Sequence, residues 1–341
     1  MNKAGNIRSK WIGLSIGLIA AFMLDIWLGS VNIPMNEITK ILFGEPSANP
    51  AWDKIILLFR LPKAVTAIVA GGALAVSGLL MQSFFRNPLA GPFVLGISSG
   101  ASLGVALLVM AGVSGFFMVN TLGIVVAASV GAGIAFSMVL MASIRIKDSA
   151  TLLIIGLMVG SIAGAIVGTL QYFTSARQLQ AFTIWTFGSL SNVHIGDLPV
   201  FILLISIGLL VSFALFKPMN AILLGENYAQ SLGVSISRLR NGILLVTSLL
   251  AGVVTAYCGP IAFVGIAVPH LTRSVFSSND HKTLIPSVFM MGSFVLLICD
   301  VIAQLPGSEQ VLPINVVTSI LGAPVVIWVI LKKRNLGTSF G

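Results

Sequence analysis

KPMNAILLGENYAQSLGVSISRLRN, residues 217–241, is a polar, helix-forming insert in the middle of a chain that elsewhere reads as soluble in hydrocarbon. Apolar residues make up 57% of the 341 positions, charged residues make up 9%, and the mean hydropathy is +1.04. A soluble globular domain carries roughly 25% charged residues, so lipid solvates most of this sequence. Such a chain keeps a polar segment in water only where something in water has to hold it. The insert therefore reads as a handle for a soluble partner, and its surroundings as a driven membrane machine rather than a passive pore.

Outward from the insert, ten apolar runs bounded by charges, Pro or Gly clusters approach the ~20 residues a spanning helix needs: 11–31, 62–83, 93–112, 118–142, 151–173, 195–216, 240–258, 260–276, 284–304 and 314–331. The first follows Lys3, Arg8 and Lys10 as a signal peptide's apolar region would. It is too long for one and ends without a small-x-small cleavage site, so it is read as a retained span. Ten spans put both termini on one side. With that side inside, fourteen of the 19 Lys and Arg residues fall inside and five (Lys40, Lys54, Arg60, Lys63 and Arg177) fall outside, the asymmetry of the positive-inside rule. The expectation is one all-α transmembrane domain over residues 1–341, surrounded by the lipid of the cytoplasmic membrane. Both termini and the 217–241 insert lie in the cytoplasm.

Several functions are excluded or weakened. The net charge of +9 is scattered between apolar runs and forms no basic stripe interleaved with aromatics, so nucleic acid is not a partner. No GxxxxGK[ST] occurs, so the chain does not itself cradle ATP. His194, His270 and His281 lack metal-ligand spacing. Cys258 and Cys299 stand 41 residues apart in apolar runs and read as small buried hydrophobes. Gly96-Ile97-Ser98-Ser99-Gly100 fits G-x-S-x-G but opens an apolar helix rather than a strand-to-helix elbow, which leaves an intramembrane hydrolase built on Ser98 as a remote rival. Asp25 and Asp300, near the outer ends of their spans, read as interfacial or helix-contact groups. An ion-coupled secondary carrier would need more intramembrane ionisable groups or matched broken helices. No residue is assigned to catalysis or to a cofactor.

Three segments carry the candidate sites. Gly156, Gly160, Gly164 and Gly168 recur every fourth residue with Ser161 beside them, a smooth helix face about 18 Å long. It serves either small-xxx-small packing or as a wall along which a bulky cargo slides. Arg60-Leu61-Pro62-Lys63 forms an outer basic knob, either an interfacial anchor or a dock for acidic side chains. Inside, Leu223-Leu224-Gly225-Glu226-Asn227-Tyr228-Ala229-Gln230-Ser231-Leu232-Gly233 reads as two short helical turns punctuated by glycine, with Tyr228, Ala229 and Leu232 as a small apolar face. Helices this short are marginal alone, and without the Lys/Arg of a membrane-surface helix the segment suits a protein groove.

These stretches carry a family likeness. RLPKAVTAIVAGGALAVSGLLMQSFFRNPLAGPFVLGISSGAS (Arg60–Ser102), KPMNAILLGENYAQSLGV (Lys217–Val234), GPIAFVGIAVPHLTR (Gly259–Arg273), the Asp280-His281-Lys282 turn and LPINVVTSILGAPVVIWVILKK (Leu312–Lys333) resemble FecCD-type permeases. These are the membrane subunits of ABC importers for iron-siderophores, haem and vitamin B12. The resemblance implies a type II ABC importer permease fold of about ten spans and a homodimer around one central pathway. It also implies two cytoplasmic ATPase subunits, which hold ATP and Mg, and a soluble extracytoplasmic substrate-binding protein. By the same resemblance Leu223–Gly233 supplies the coupling helices, the fifth and last spans line the pathway, and Asp148-Ser149-Ala150-Thr151 forms an inner gate. Arg60 and Lys63 would meet acidic residues of the binding protein. Two departures stand out: Gln304 where the family often carries a further Arg, and LPIN (Leu312–Asn315) in place of an LPVG-like turn. The expected activity is import of an iron chelate, siderophore or haem; cobalamin is the alternative cargo.

Overall fold

The structure is a computed structural model that describes residues 3–111, 121–146, 148–304 and 311–337. Among the described residues every regular element is helical. In order these are α1 (Lys3–Trp27), α2 (Met35–Leu42), α3 (Pro50–Lys54), α4 (Leu61–Phe84), α5 (Ile97–Val109), α6 (Thr121–Arg145), α7 (Ser149–Phe173), α8 (Ala176–Thr186), α9 (Leu198–Ala214), α10 (Phe216–Leu223), α11 (Glu226–Ser231), α12 (Ile236–Cys258), α13 (Val264–Phe276), α14 (His281–Ala303) and α15 (Ile314–Gly337). Ten of them (α1, α4–α7, α9 and α12–α15) answer one for one to the apolar runs. By length and composition α1, the helix containing α4, α6, α7, α12 and α14 can cross a membrane, and α9 does so as a pair with α10, bent by 47°.

α5 and α13 are short for a physical reason. A turn of 3-10 helix at Pro92–Leu95 precedes α5, and irregular chain at 259–263 precedes α13. Non-helical backbone at membrane depth persists only where protein covers it and satisfies its polar groups. Here the Ala262 N–H donates to Asn315 Oδ1 at 3.0 Å, the Asn315 N–H donates to Phe187 O at 3.2 Å, and the Ser189 N–H donates to Cys258 O at 2.8 Å. Asn315 belongs to the LPIN departure, so the unusual residue is the one that closes the break before α13.

α4 is the hub. It packs against α14, α12, α13 and α9, and 83% of the apolar window in its helix is buried, against 17% for α1 and 28% for α6 and α7. Lipid tails are as apolar as leucine, so close packing rather than water exclusion draws such helices together. Glycines provide it: a methyl group on Gly71 would overlap the Gly292 carbonyl of α14, one on Gly292 would overlap the Gly71 carbonyl, and one on Gly78 would overlap the Gly265 carbonyl of α13. Gly100 and Gly104 of α5 meet Gly131 of α6 in the same way.

Several boundaries differ from expectation. α1 stops at Trp27 rather than 31, because Arg60 caps its C-terminal carbonyls. α5 and α13 begin at Ile97 and Val264 rather than 93 and 260, because of the breaks just described. Residues 118–120 of the fourth run lie outside the described residues. α2, α3 and α8 are helices with no spanning run behind them. α8 is opened by a capping box between Ser175 and Gln178, an S-x-x-Q pattern that the sequence displays. α4 is also prolonged backwards, through a π-helical turn at Ile55–Arg60, to Pro50.

Replacing Gly71 or Gly292 with Val is expected to destabilise the bundle by about 1–3 kcal/mol, the usual cost of overpacking. Gly133→Ala, whose new methyl group meets nothing within 4 Å, should leave thermal unfolding in detergent unchanged. Equal unfolding temperatures for all three variants would contradict the hub.

Candidate functional site

The insert folds as α10, α11 and the first turns of α12, which begins at Ile236 rather than 240. Gly225 (φ +120°) and Gly233 (φ +84°) separate its turns in backbone regions that side chains rarely adopt. Leu223, Leu224, Tyr228 and Leu232 are exposed, Leu224 by 68% and Leu232 by 59%, and Glu226 is exposed in the first turn of α11. Ala229 is fully buried, so it anchors α11 to its own chain and the apolar face read as Tyr228–Ala229–Leu232 divides between inside and outside. Exposed leucines on a polar segment amount to an unpartnered apolar surface.

This surface is tied to the bundle at two points. Arg86, at φ +47° just past α4, donates from Nη2 to Ile222 O at 2.9 Å. On α10, Asn220 donates from Nδ2 to Asp280 Oδ1 at 2.6 Å, and its Oδ1 accepts the His281 backbone N–H at 2.8 Å and lies 2.8 Å from His281 Nδ1. His281 Nε2 is 2.9 Å from Ser83 Oγ, which also accepts from Arg273 Nη2 at 3.2 Å. With Nδ1 as donor and Nε2 as acceptor every atom is satisfied. A displacement of α10 is therefore handed directly to α14, α4 and α13. Neither His281 nor Asn220 stands out in the sequence, because partners about 60 residues apart leave no local pattern.

Beside this lies the predicted gate turn. Asp148 caps α7, its Oδ2 accepting from the Thr151 N–H at 2.7 Å and from Thr151 Oγ1 at 2.5 Å. These bonds hold the Asp148 carboxyl below the usual carboxylate range. Asp148, Ala150 and Thr151 are exposed, and Ser149 begins the helix. Arg240 of α12 clamps the neighbouring end of α6 by donating to Ser143 O at 2.6 Å and Ile146 O at 3.1 Å.

The glycine ridge of α7 splits in two. Gly156 abuts Val94 and Leu95, and Gly160 sits against Gly96 and Ser99, with Ser99 Oγ 3.2 Å from where a methyl group would stand. Gly164 and Gly168 meet nothing within 4 Å, and Ser161 is exposed with its hydroxyl returned to Leu157 O at 2.9 Å. Packing thus accounts for the first two glycines, while an open surface begins at the others.

At the opposite end, Arg60 is 8% exposed and turned inward. Its guanidinium donates to Ile26 O and Trp27 O at 2.8 Å each and to Val31 O, under Gly29, where a methyl group would strike it. Lys63 Nζ lies 2.9 Å from Asp300 Oδ2. Gln304 Nε2 donates to Asp25 Oδ1 at 2.8 Å and to Asp300 Oδ2 at 3.3 Å. Two aspartates, a lysine and an amide thus join α1, α4 and α14 in one buried cluster, and Gly29, Phe59, Lys63 and Gln304 line a cavity of about 280 Å3 above it. Arg60 caps a helix here and presents no exposed charge, and Gln304 is a buried neutral amide turned towards Asp25 and Asp300.

Comparison with known proteins places this arrangement. The model of the FecCD transport family matches residues 17–332. The chain belongs to the FecCD transport family. Relatives of this FecCD chain include the hemin transport system permease protein HmuU of Yersinia pestis, 34% identical over 94% of this chain and 96% of that one. The vitamin B12 import system permease protein BtuC of Citrobacter koseri is 36% identical over 90% and 94%. A probable iron chelatin transport system permease protein of Helicobacter pylori is 33% identical over 83% and 84%. Among solved structures, a metal-chelate type ABC transporter in an inward-facing conformation superposes with a TM-score of 0.83 at 26% identity, over 94% of this chain and 98% of that one. The FecCD chain is thus a multi-pass membrane permease of the ABC importer type, with about ten spans.

Two outcomes test the geometry. Lys63→Met leaves buried Asp300 without its cation and is expected to cost about 3–5 kcal/mol, and pairing it with Asp300→Asn should restore most of the loss in thermal unfolding. A single variant as stable as wild type would remove Lys63 from the cluster. Because the Asp148 carboxyl is held low, its cap is in force above the ordinary aspartate range and fails as pH falls through the lowered value; the protection of the Thr151 amide, its exchange rate relative to the intrinsic rate at the same pH, should fall in that acid window, and Asp148→Ala should remove this loss of protection.

Proposed function

We propose that this chain is the membrane subunit of an ATP-driven importer that carries an iron chelate, a siderophore complex or haem, across the cytoplasmic membrane. The observation that carries the reading is the exposed apolar surface of α10 and α11 joined through Asn220 and Arg86 to α14 and α4. Such a surface is suited to an external lever, and the ABC relatives support an ATPase as that lever. Two cytoplasmic ATPase subunits would grip Leu223, Leu224, Tyr228 and Leu232 around the Gly225–Gly233 turns, with Glu226 at the rim. ATP and Mg belong to those subunits. The chain converts their closure into a change of access and does no bond chemistry.

In this reading two copies face each other across α7 and α15, whose outward residues Ile162, Ile166, Ile320 and Ile327 are exposed. Ser161, Gly164 and Gly168 would border the pathway, and the 148–151 turns would close its inner end. Weakly gripping walls suit a bulky cargo, so tight binding falls to a soluble extracytoplasmic binding protein. It would settle on the rim around Lys63 and Gln304, which Arg60 shapes from within by fixing the end of α1. The 14-to-5 partition of Lys and Arg supports placing both termini and α10–α11 in the cytoplasm. Iron chelates are favoured because a haem permease, an iron chelatin permease and a metal-chelate transporter structure stand among the similar proteins. Cobalamin is the second reading, favoured by the equally similar vitamin B12 permeases.

Reconstitution with the cognate ATPase and binding protein provides the test. Leu224→Asp with Leu232→Asp is expected to abolish ATPase association while the chain remains folded and dimeric, and Asn220→Ala should preserve assembly and ATP hydrolysis but lower uptake about tenfold or more, the equivalent of 1.4 kcal/mol of lost coupling. Uptake of a ferric chelate that continues without nucleotide would refute the proposal, and uptake of cobalamin alone would select the second reading.

A further inference from the structure

A cavity lies beside α10, between the ends of α4, α13 and α15, where the Arg86 and Arg273 hydrogen bonds border it. It measures about 540 Å3, and its polar lining includes Gln82, Ser83, Arg86, His270, Arg273 and Asn279. We propose that it binds a phosphate group.

Among the described residues, two guanidinium groups line it and no carboxylate does. Arg273 donates from Nη1 to Gln82 Oε1 at 2.9 Å and from Nη2 to Ser83 Oγ at 3.2 Å, and Arg86 donates from Nη2 to Ile222 O at 2.9 Å. All three acceptors are neutral. Each guanidinium carries five N–H donors, so both retain donors for a further acceptor, and two positive charges share one recess without a counter-charge among its described lining residues. Asp280 stands outside the lining and is engaged by Asn220 Nδ2 at 2.6 Å and the Lys282 N–H at 3.0 Å. The bonds already made fix the Arg273 fork, which lowers the entropy cost of presenting it to a tetrahedral oxyanion.

The mouth is chemically different. Leu223 and Trp328, each 46% exposed, border it together with Val329. Tryptophan near the end of a spanning helix marks headgroup level, and basic recesses between spanning helices at that level take lipid phosphates. An apolar mouth over a cationic floor fits a phosphodiester headgroup whose acyl chains leave past Trp328. Soluble phosphate shares the floor chemistry without using the mouth.

The test uses the full chain in nanodiscs of phosphatidylglycerol or phosphatidylcholine, followed by extraction into neutral detergent and native mass spectrometry. Wild type is expected to retain phosphatidylglycerol at least about tenfold over phosphatidylcholine. Ser274→Glu with Asn279→Asp sets carboxylates at exposed positions of the cavity without touching the arginine bonds, and should erase that preference. Should this pair fail to fold, Asn279→Asp alone carries the comparison, with an unchanged melting temperature as its control. Saturable binding of inorganic phosphate to delipidated protein, followed by phosphorus NMR and lost in the variant, supports the soluble source of the same chemistry. Equal retention of both lipids by wild type and variant, together with no saturable phosphate binding, overturns the proposal, as does capture of an acidic peptide in place of both. None of these readouts involves transport, so the outcome is independent of the cargo and of the ATPase.

Discussion

The backbone contact between α4 and its neighbours is the constraint from which the rest follows. Gly71 and Gly292 each occupy space that a methyl group on the other's helix would need, and Gly78 stands in the same relation to Gly265. In lipid there is little hydrophobic drive to bring helices together, so packing and interhelical hydrogen bonds hold the bundle. Close approach also lets Gln82 reach across to Ile266 O at 2.9 Å and Ser293 reach Ile68 O at 2.7 Å. The hub is thereby stiff, and a stiff hub transmits displacement.

Both ends of the hub carry polar clusters, and the two are built differently. At one end Asp25, Asp300, Lys63 and Gln304 are closed in among α1, α4 and α14, with Arg60 capping α1 beside them. These groups face one another, as buried charges must. At the other end Arg273, Ser83, His281 and Asn220 form a chain of hydrogen bonds that leads outward to α10, whose neighbouring leucines are exposed. One end is locked and the other leads to an exposed surface.

Much of this was legible in residue order. The ten apolar runs correspond to ten helices because a spanning segment must satisfy its own backbone, and hydropathy records that requirement directly. The punctuation of the insert was equally readable, since Gly225 and Gly233 do adopt positive φ. Reading failed where a partner is remote. Arg60 and Lys63 look alike as two cations flanking a proline, yet one caps a helix end 34 residues away and the other pairs with an aspartate far along the chain. The four-residue glycine repeat likewise looks uniform, while only Gly156 and Gly160 have a neighbouring segment against them.

What the sequence determined by itself is the solvent of each segment: which stretches live in lipid, which in water, and the family to which the pattern belongs. Those properties are sums over neighbouring residues, and neighbours are what a sequence shows. Tertiary structure alone decided which cations face inward, which glycines touch backbone, why Asn315 stands where it does, and that Arg86 and Arg273 line one cavity. Each depends on helices far apart in the chain meeting at a few ångströms, a distance that no local pattern of residues encodes.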